Sequence, residues 1–326
     1  MKRAFTLLEL VVVIVVLGII AMMSFNAIMN IYSNYFQTRT VNELETQTEI
    51  ALEQISKRLE HRIKPSVIAR KTDGAFLALN DSGVTLAQDY EILEFIPYAY
   101  EIFNDVISLD ANDNVIEQGG KAGRYSGYAD LAKSSPATGL ISPGSNFTTG
   151  VVETIKDLTC RDEIRNATCV DFTKKDGGVA AIFSDVYYNV QSSFGYSNGT
   201  VPVSLDIAKV GVKGGQSGLN GDTLEISGFD GKQISEQYHL AYTANAIVPE
   251  QSADPKDTAN GVFDLNLYYD YRPWMGEKYK QNGEKATLAK NVTRFVFTEK
   301  NGVIVLKLCM RAKNSEITIC KSKAVY

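Results

Sequence analysis

The chain has 326 residues, enough for one or two domains with a substantial core, and 44% of them are hydrophobic. It carries 33 basic and 38 acidic residues, a formal net charge of −5, and no run of Lys or Arg longer than two. This composition is that of a globular protein and gives no support for nucleic-acid binding.

The first predicted element is an apolar helix near the N-terminus. Val11–Met23 is an uninterrupted apolar run, preceded by Lys2-Arg3 and by a single acid, Glu9. About 20 apolar residues span a bilayer, and an ionisable group inside the span costs about 2.5–3.5 kcal/mol unless something pairs with it. Glu9 is therefore a candidate functional residue.

Two simpler interpretations of this segment were weighed. A secretory signal peptide needs a cleavage site with small residues after its apolar core, and Ala21–Ala27 matches such a site poorly. A plain membrane anchor fits the length of the apolar run but gives no reason for Glu9.

The stretch Ala4-Phe5-Thr6-Leu7-Leu8-Glu9 resembles the processing site of type IV prepilins and of the pseudopilins of type II secretion. The resemblance implies cleavage after Ala4 by prepilin peptidase, methylation of the new N-terminus at Phe5, and a role for Glu9 in assembly. A newly exposed amino group is a cation that Glu9 can pair with. Ala4 stands where the family usually has glycine and is a tolerated small residue. The helix-kinking proline that many major pilins carry near Asn26 is missing, which favours a minor subunit.

The helical pattern continues beyond the apolar run. Apolar residues recur every three or four positions from Val41 to Ile63 and Pro65 ends the run, which predicts one helix of roughly 90 Å from Phe5. The predicted organisation is a leader at 1–4, a transmembrane part at 5–29, an amphipathic half at 30–64 and an extracytoplasmic globular domain at 65–326. We expect the amphipathic half to pack on the chain's own sheet, with a coiled-coil stalk as the alternative.

The remainder of the chain is rich in predicted strands. The fold class expected is α+β and pilin-like, with the long helix packed on an antiparallel β-sheet and a large β-rich or loop insertion over about 110–230. The segment Leu288–Phe297 also resembles the C-terminal part of J-type pseudopilins and W-type minor pilins. The predicted strands are Ala75–Leu79, Glu91–Ile96, Val106–Leu109, Val179–Val190, Asp222–Ser227, Ile234–Val248, Phe263–Tyr271, Val292–Thr298, Val303–Met310 and Glu316–Cys320, the last three forming a meander with a hairpin turn at Asn301-Gly302.

The four cysteines form two local pairs, Cys160 with Cys169 and Cys309 with Cys320. Disulfides are favoured, since the chain is expected to lie outside the cytoplasm. Free buried thiols and a metal site are the alternatives. Zinc ligands are usually two to four residues apart, and no histidine lies within either pair.

No catalytic, cofactor or metal motif was found. Both histidines, His61 and His239, are interpreted as solvated, because nothing supplies a nucleophile with a fixed partner. Asp110–Asn114 has closely spaced oxygen ligands but lacks a regular calcium-loop pattern, so a capped turn is favoured over a calcium site. The chain is therefore expected not to be an enzyme and to need no cofactor.

The expected function is that of a minor pilin or pseudopilin, assembled near the tip of a type IV pilus or secretion pseudopilus. The expected partners are other pilin subunits, prepilin peptidase and the inner-membrane assembly platform. The expected location is the inner membrane, with one span and a periplasmic domain, and then the filament. The alternatives are an adhesin or a ligand- or DNA-binding tip module, and a membrane-anchored extracytoplasmic enzyme.

Overall fold

The structure is a computed structural model that describes residues 7–86, 89–103, 112, 124–148, 150–160, 169–196, 206–213, 221–229, 232–313 and 315–326. A long N-terminal helix is followed by two antiparallel sheets, which confirms the predicted α+β class. The predicted strand Val106–Leu109 lies outside the described residues.

The N-terminal helix, α1, runs over Leu7–Glu60, a length of 54 residues. Such a run is possible because no glycine lies between Gly18 and Pro65 and no proline precedes Pro65, so nothing in that interval weakens or breaks the helix. Its last turn holds Lys57 and Arg58, where cations offset the partial negative charge of the helix end.

Thirteen strands and four short helices follow α1 in the described residues. The strands are β1 (Ile68–Arg70), β2 (Phe76–Ala78), β3 (Ile92–Phe95), β4 (Leu140–Ile141), β5 (Val179–Phe183), β6 (Ala208–Val212), β7 (Thr223–Ser227), β8 (Tyr238–Ala241), β9 (Ala244–Gln251), β10 (Phe263–Tyr271), β11 (Glu284–Lys300), β12 (Val303–Arg311) and β13 (Thr318–Val325). The helices are α2 (Ser82–Leu86), α3 (Val151–Thr159), α4 (Pro255–Ala259) and α5 (Tyr279–Asn282).

The larger sheet has eight strands in the order β13-β12-β11-β10-β9-β3-β1-β2. Its last three strands form the predicted C-terminal meander. Asn301 (φ 54°) and Gly302 (φ 79°) join β11 to β12, and both have the positive φ that a type I′ hairpin turn requires. The predicted turn is therefore confirmed.

Helix α1 packs its second half against β11, β12 and β13, which confirms the prediction that it covers the chain's own sheet. Fully burying a Leu or Ile side chain contributes about 1.5–3 kcal/mol, so this stripe is the main attachment of the helix. Its buried residues are Leu44, Thr48, Ala51, Leu52, Ile55, Ser56 and Leu59.

Ion pairs between α1 and β13 border the apolar contact. Lys321 Nζ lies 2.7 Å from Glu49 Oε2 and 3.1 Å from Glu45 Oε1, and Lys323 pairs with Glu53. These glutamates are largely exposed but paired, and exposed ion pairs add little stability, so the apolar contact is the main attachment of the helix.

The smaller sheet has five strands in the order β4-β7-β6-β5-β8. It has its own core, in which Phe147, Phe172 and Phe183 are fully buried and α3 contributes Val151 and Ile155. Most of this unit comes from the region predicted as a β-rich or loop insertion.

A third cluster of buried side chains joins the two sheets. The indole nitrogen of Trp274 donates a hydrogen bond to Gly178 O at 3.1 Å, and the hydroxyl of Tyr196 donates to Ser66 O at 2.9 Å. Both side chains are buried, so the smaller sheet is anchored to the larger one by packing and by these two bonds.

Two of the predicted strands differ from the structure. The single strand predicted at Ile234–Val248 is two strands, β8 in the smaller sheet and β9 in the larger one. The strand predicted at Val179–Val190 ends at Phe183, and Tyr187 beyond it is 90% exposed. The period-2 alternation of Ile234–Val248 continues across the break between β8 and β9, so it did not reveal that break.

Candidate functional site

The first half of α1 carries a continuous apolar surface that nothing in the described structure covers. Its large side chains between Leu7 and Phe36 are exposed, for example Leu8 at 75% and Met22 at 70%. The helix is long and apolar enough to cross a membrane. A patch of this size on a protein marks a membrane or subunit contact.

Glu9 interrupts this apolar surface. It lies in the first turn of α1, is exposed, and stands between Leu8 and Leu10. A carboxylate at this end of a helix is favoured by the partial positive charge of the free backbone N–H groups. The predicted cleavage site at Ala4 and Phe5 lies outside the described residues, so the cut and the methylation stay predictions.

One protein-family model matches the N-terminal segment that contains Glu9. Residues 1–25 match the model of the prokaryotic N-terminal methylation motif. The chain has a type IV pilin-like N-terminus. No curated protein and no solved structure matches the chain.

The methylation motif indicates the general role of the apolar half of α1. It supports a pilin-like protein that prepilin peptidase processes and that is anchored in a membrane by this helix. It also implies, in general terms, partnership with other pilin subunits and with the peptidase.

Both cysteine pairs are joined by disulfides. Cys309 and Cys320 are directly opposed on β12 and β13, with Cα atoms 4.0 Å apart. Cys160, at the end of α3, is joined to Cys169, with Cα atoms 5.0 Å apart. The Cys309–Cys320 bridge links the two strands of the hairpin against which α1 packs. The Cys160–Cys169 bridge joins the end of α3 to the segment that begins at Cys169.

The prediction that both histidines are solvated is wrong for His239, whereas His61 is half-buried and lines an open groove. The His61 ring stacks on Tyr100 with centroids 3.9 Å apart, and its Nδ1 lies 3.1 Å from the hydroxyl of Tyr98. The His239 ring stacks on the same Tyr98, with ring centroids 5.1 Å apart. Burial lowers the pKa of His239. The two rings belong to one aromatic cluster, because the end of α1 and strand β8 meet there.

The region Asp110–Asn114 lies outside the described residues apart from Asn112, so its interpretation as a turn stays a prediction. Within the described ranges, no group of three or more His, Cys, Asp or Glu side chains is arranged to hold a metal ion.

One site was missed by sequence reasoning. A groove of about 830 Å³ lies where α1 ends on the larger sheet, and Asn245 of β9 lines it. Asn245 is only 3% exposed, and its Oδ1 has no hydrogen-bond partner in the described structure. Alternation places Ala244 and Ala246 on one face of β9, and Asn245 with Ile247 on the face toward α1. The available signal was a polar residue within the apolar run from Ala244 to Val248.

Proposed function

We propose that the chain is a minor pilin or pseudopilin: a structural subunit, not an enzyme, that is cut after Ala4 and methylated at Phe5. The observation that carries the proposal is the methylation motif at the head of a helix whose first half is apolar and exposed. The same helix carries a folded domain on its second half. Such a chain is anchored by the helix before assembly and is held by the same helix in a filament.

The Glu9 carboxylate supplies the register of assembly in this proposal. A buried acid among apolar helices is stable only when a cation pairs with it, and the amino group of Phe5 in a neighbouring subunit is that cation. An unpaired Glu9 in the packed filament is costly, so a subunit that docks out of register is disfavoured.

The bulk of the domain supports a position of this subunit at or near the tip of the filament. The smaller sheet and its core add bulk beyond the helix and larger sheet. A bulky domain is accommodated most readily where no subunit has to stack above it. In the membrane the domain lies in the periplasm, on the side opposite the basic leader Lys2-Arg3. The assembly platform and other minor subunits are its partners there.

Substitution of Glu9 tests the proposal. Glu9→Gln keeps the size of the side chain and removes its charge. In cells that lack the native copy, we expect this variant to be inserted and cut normally but to be lost from the sheared filament fraction. The matched control is Glu60→Gln, an exposed glutamate at the other end of α1, which we expect to be incorporated normally. Normal incorporation of Glu9→Gln would contradict the proposed role.

A further inference from the structure

The groove at the end of α1 contains a buried amide that lacks a partner. Nearly all buried polar groups in proteins are hydrogen-bonded, and an unmade bond costs free energy. Asn245 Oδ1 is buried, unpartnered in the described structure, and part of the groove lining. The volume of about 830 Å³ is that of a small-molecule site. An occupant of the groove with hydrogen-bonding groups would give this amide a partner.

The wall beside Asn245 is aromatic and held in place. Tyr100 stacks on His61 at 3.9 Å, and Tyr98 meets the same His61 ring edge-on at 5.4 Å. Tyr100 is nevertheless 44% exposed, so part of its ring remains free to contact an occupant. A rigid aromatic surface contacts apolar faces at low entropic cost.

The charged residues of the groove are of both signs. Lys57 and Arg58 of α1 are exposed and have no ion-pair partner in the parts of the chain that are described. Glu101 and Asp270 line the same groove, and Asp270 is paired with the buried Arg272 at 3.1 Å. A sugar unit with one carboxylate and several hydroxyls satisfies both signs.

We propose that this groove binds an acidic saccharide, a polyhydroxylated ring that carries a carboxylate. The carboxylate pairs with Lys57 or Arg58, a hydroxyl bonds the amide of Asn245, and further hydroxyls donate to Glu101. The apolar face of the ring packs on Tyr100. This proposal stands apart from processing at the N-terminus, because no residue of the groove belongs to the apolar half of α1.

A peptide fits the groove less well. Extended peptides bind by adding a strand to a sheet edge, but β3, β9, β10 and β11, whose ends meet the groove, all lie inside the larger sheet. Amphipathic helices need an apolar groove, whereas this one is lined mostly by charged, amide and tyrosine side chains.

Binding of defined oligosaccharides tests the proposal. The full chain is purified in an amine-oxide detergent, which contains no sugar, and is titrated calorimetrically with trigalacturonic acid, with neutral maltotriose and with triglutamate. We expect saturable binding of trigalacturonic acid that is at least tenfold tighter than that of maltotriose. Absence of saturable binding, equal affinity for maltotriose, or tighter binding of triglutamate would overturn the proposal.

Variants separate binding from folding. Asn245→Ala is expected to weaken trigalacturonic acid binding about tenfold, the equivalent of about one hydrogen bond. Its thermal unfolding temperature is expected to be unchanged or raised, because an unpartnered buried amide is removed. Arg58→Gln is expected to weaken binding several-fold, and Lys307→Gln, on the exposed face of β12, to leave it unchanged. A lower unfolding temperature for Asn245→Ala with unchanged binding would show a structural role and overturn the assignment.

Discussion

The buried ion pair between β1 and β3 offers the sharpest test of how the larger sheet is held together. Arg70 Nε donates to Glu94 Oε2 at 2.7 Å, and the two residues are 5% and 2% exposed. The hydroxyl of Tyr271 donates to the other carboxylate oxygen of Glu94 at 2.8 Å, and Arg70 also donates to Gly74 O at 2.9 Å. Glu94 is thus the acceptor that links three strands.

Substituting Glu94→Gln keeps the shape of the side chain but leaves the guanidinium of Arg70 buried without its counter-charge. Two unit charges 4 Å apart attract by about 4 kcal/mol at an effective dielectric constant of 20. Removal of one partner of a buried pair costs about 3–5 kcal/mol in unfolding free energy. We therefore expect Glu94→Gln to lower the unfolding free energy by about 4 kcal/mol, a large share of the ~5–15 kcal/mol typical of a domain.

The single tryptophan makes this measurement direct. Trp274 is 2% exposed and lies in the cluster between the two sheets, so its fluorescence reports unfolding of the domain. Urea titration of the full chain in detergent gives the unfolding free energy of each variant.

Two further variants show whether the effect of Glu94→Gln comes from the unpaired buried charge of Arg70. Glu316→Gln removes an ion pair with Arg311 in which the glutamate side chain is 94% exposed, and its effect is expected to stay below about 1 kcal/mol. The double variant Arg70→Met with Glu94→Gln leaves no unpaired charge and is expected to be more stable than Glu94→Gln alone. An effect of Glu94→Gln as small as that of Glu316→Gln would refute the reasoning.

Three more predictions concern the stability of the domain. Cys309→Ala with Cys320→Ala opens a loop with a sequence separation of 11, and urea titration is expected to show a loss of about 2–3 kcal/mol, whereas no loss would contradict a structural bridge. Arg62→Met removes three bonds from a buried guanidinium to backbone carbonyls, at 2.8, 3.1 and 3.0 Å, and is expected to cost about 3 kcal/mol; a thermal midpoint equal to wild type would argue against this anchoring. Burial lowers the pKa of His239 in the folded chain below its value of about 6.5 in the unfolded chain. The unfolded chain therefore binds a proton at a higher pH than the folded chain, and the stability of the fold is lost as the pH falls below about 6.5. His239→Phe is expected to reduce the difference in unfolding free energy between pH 7.5 and pH 5, and an unchanged difference would exclude this histidine as a source.

The elements that were predicted well are those with strong local signals. The helix α1 has an apolar repeat of several turns without a breaker, and it ends at Glu60, shortly before the predicted stop at Pro65. The Asn301-Gly302 turn follows from the positive φ that these two residues tolerate. In both cases the physical cause lies within a few residues of the element it shapes, so the sequence alone was sufficient.

The smaller sheet and the groove depend on contacts between distant parts of the chain. Local patterns predicted strands that contain β5, β7 and β8, but β4 is only two residues long, and the pairing of β5 with both β6 and β8 has no local signal. His61 and His239 are far apart in sequence and meet only through Tyr98. The alternation of β9 separates the two faces of the strand but does not show that both are covered, so the burial of Asn245 could not be predicted.

The mass of the N-terminus shows whether the chain enters the prepilin pathway. The protein is extracted from membranes of cells that contain prepilin peptidase, and its N-terminal peptide is measured by mass spectrometry. The account predicts a chain that begins at Phe5 and carries one added methyl group. A chain that begins at Met1, or one cut beyond Ala21, would contradict it.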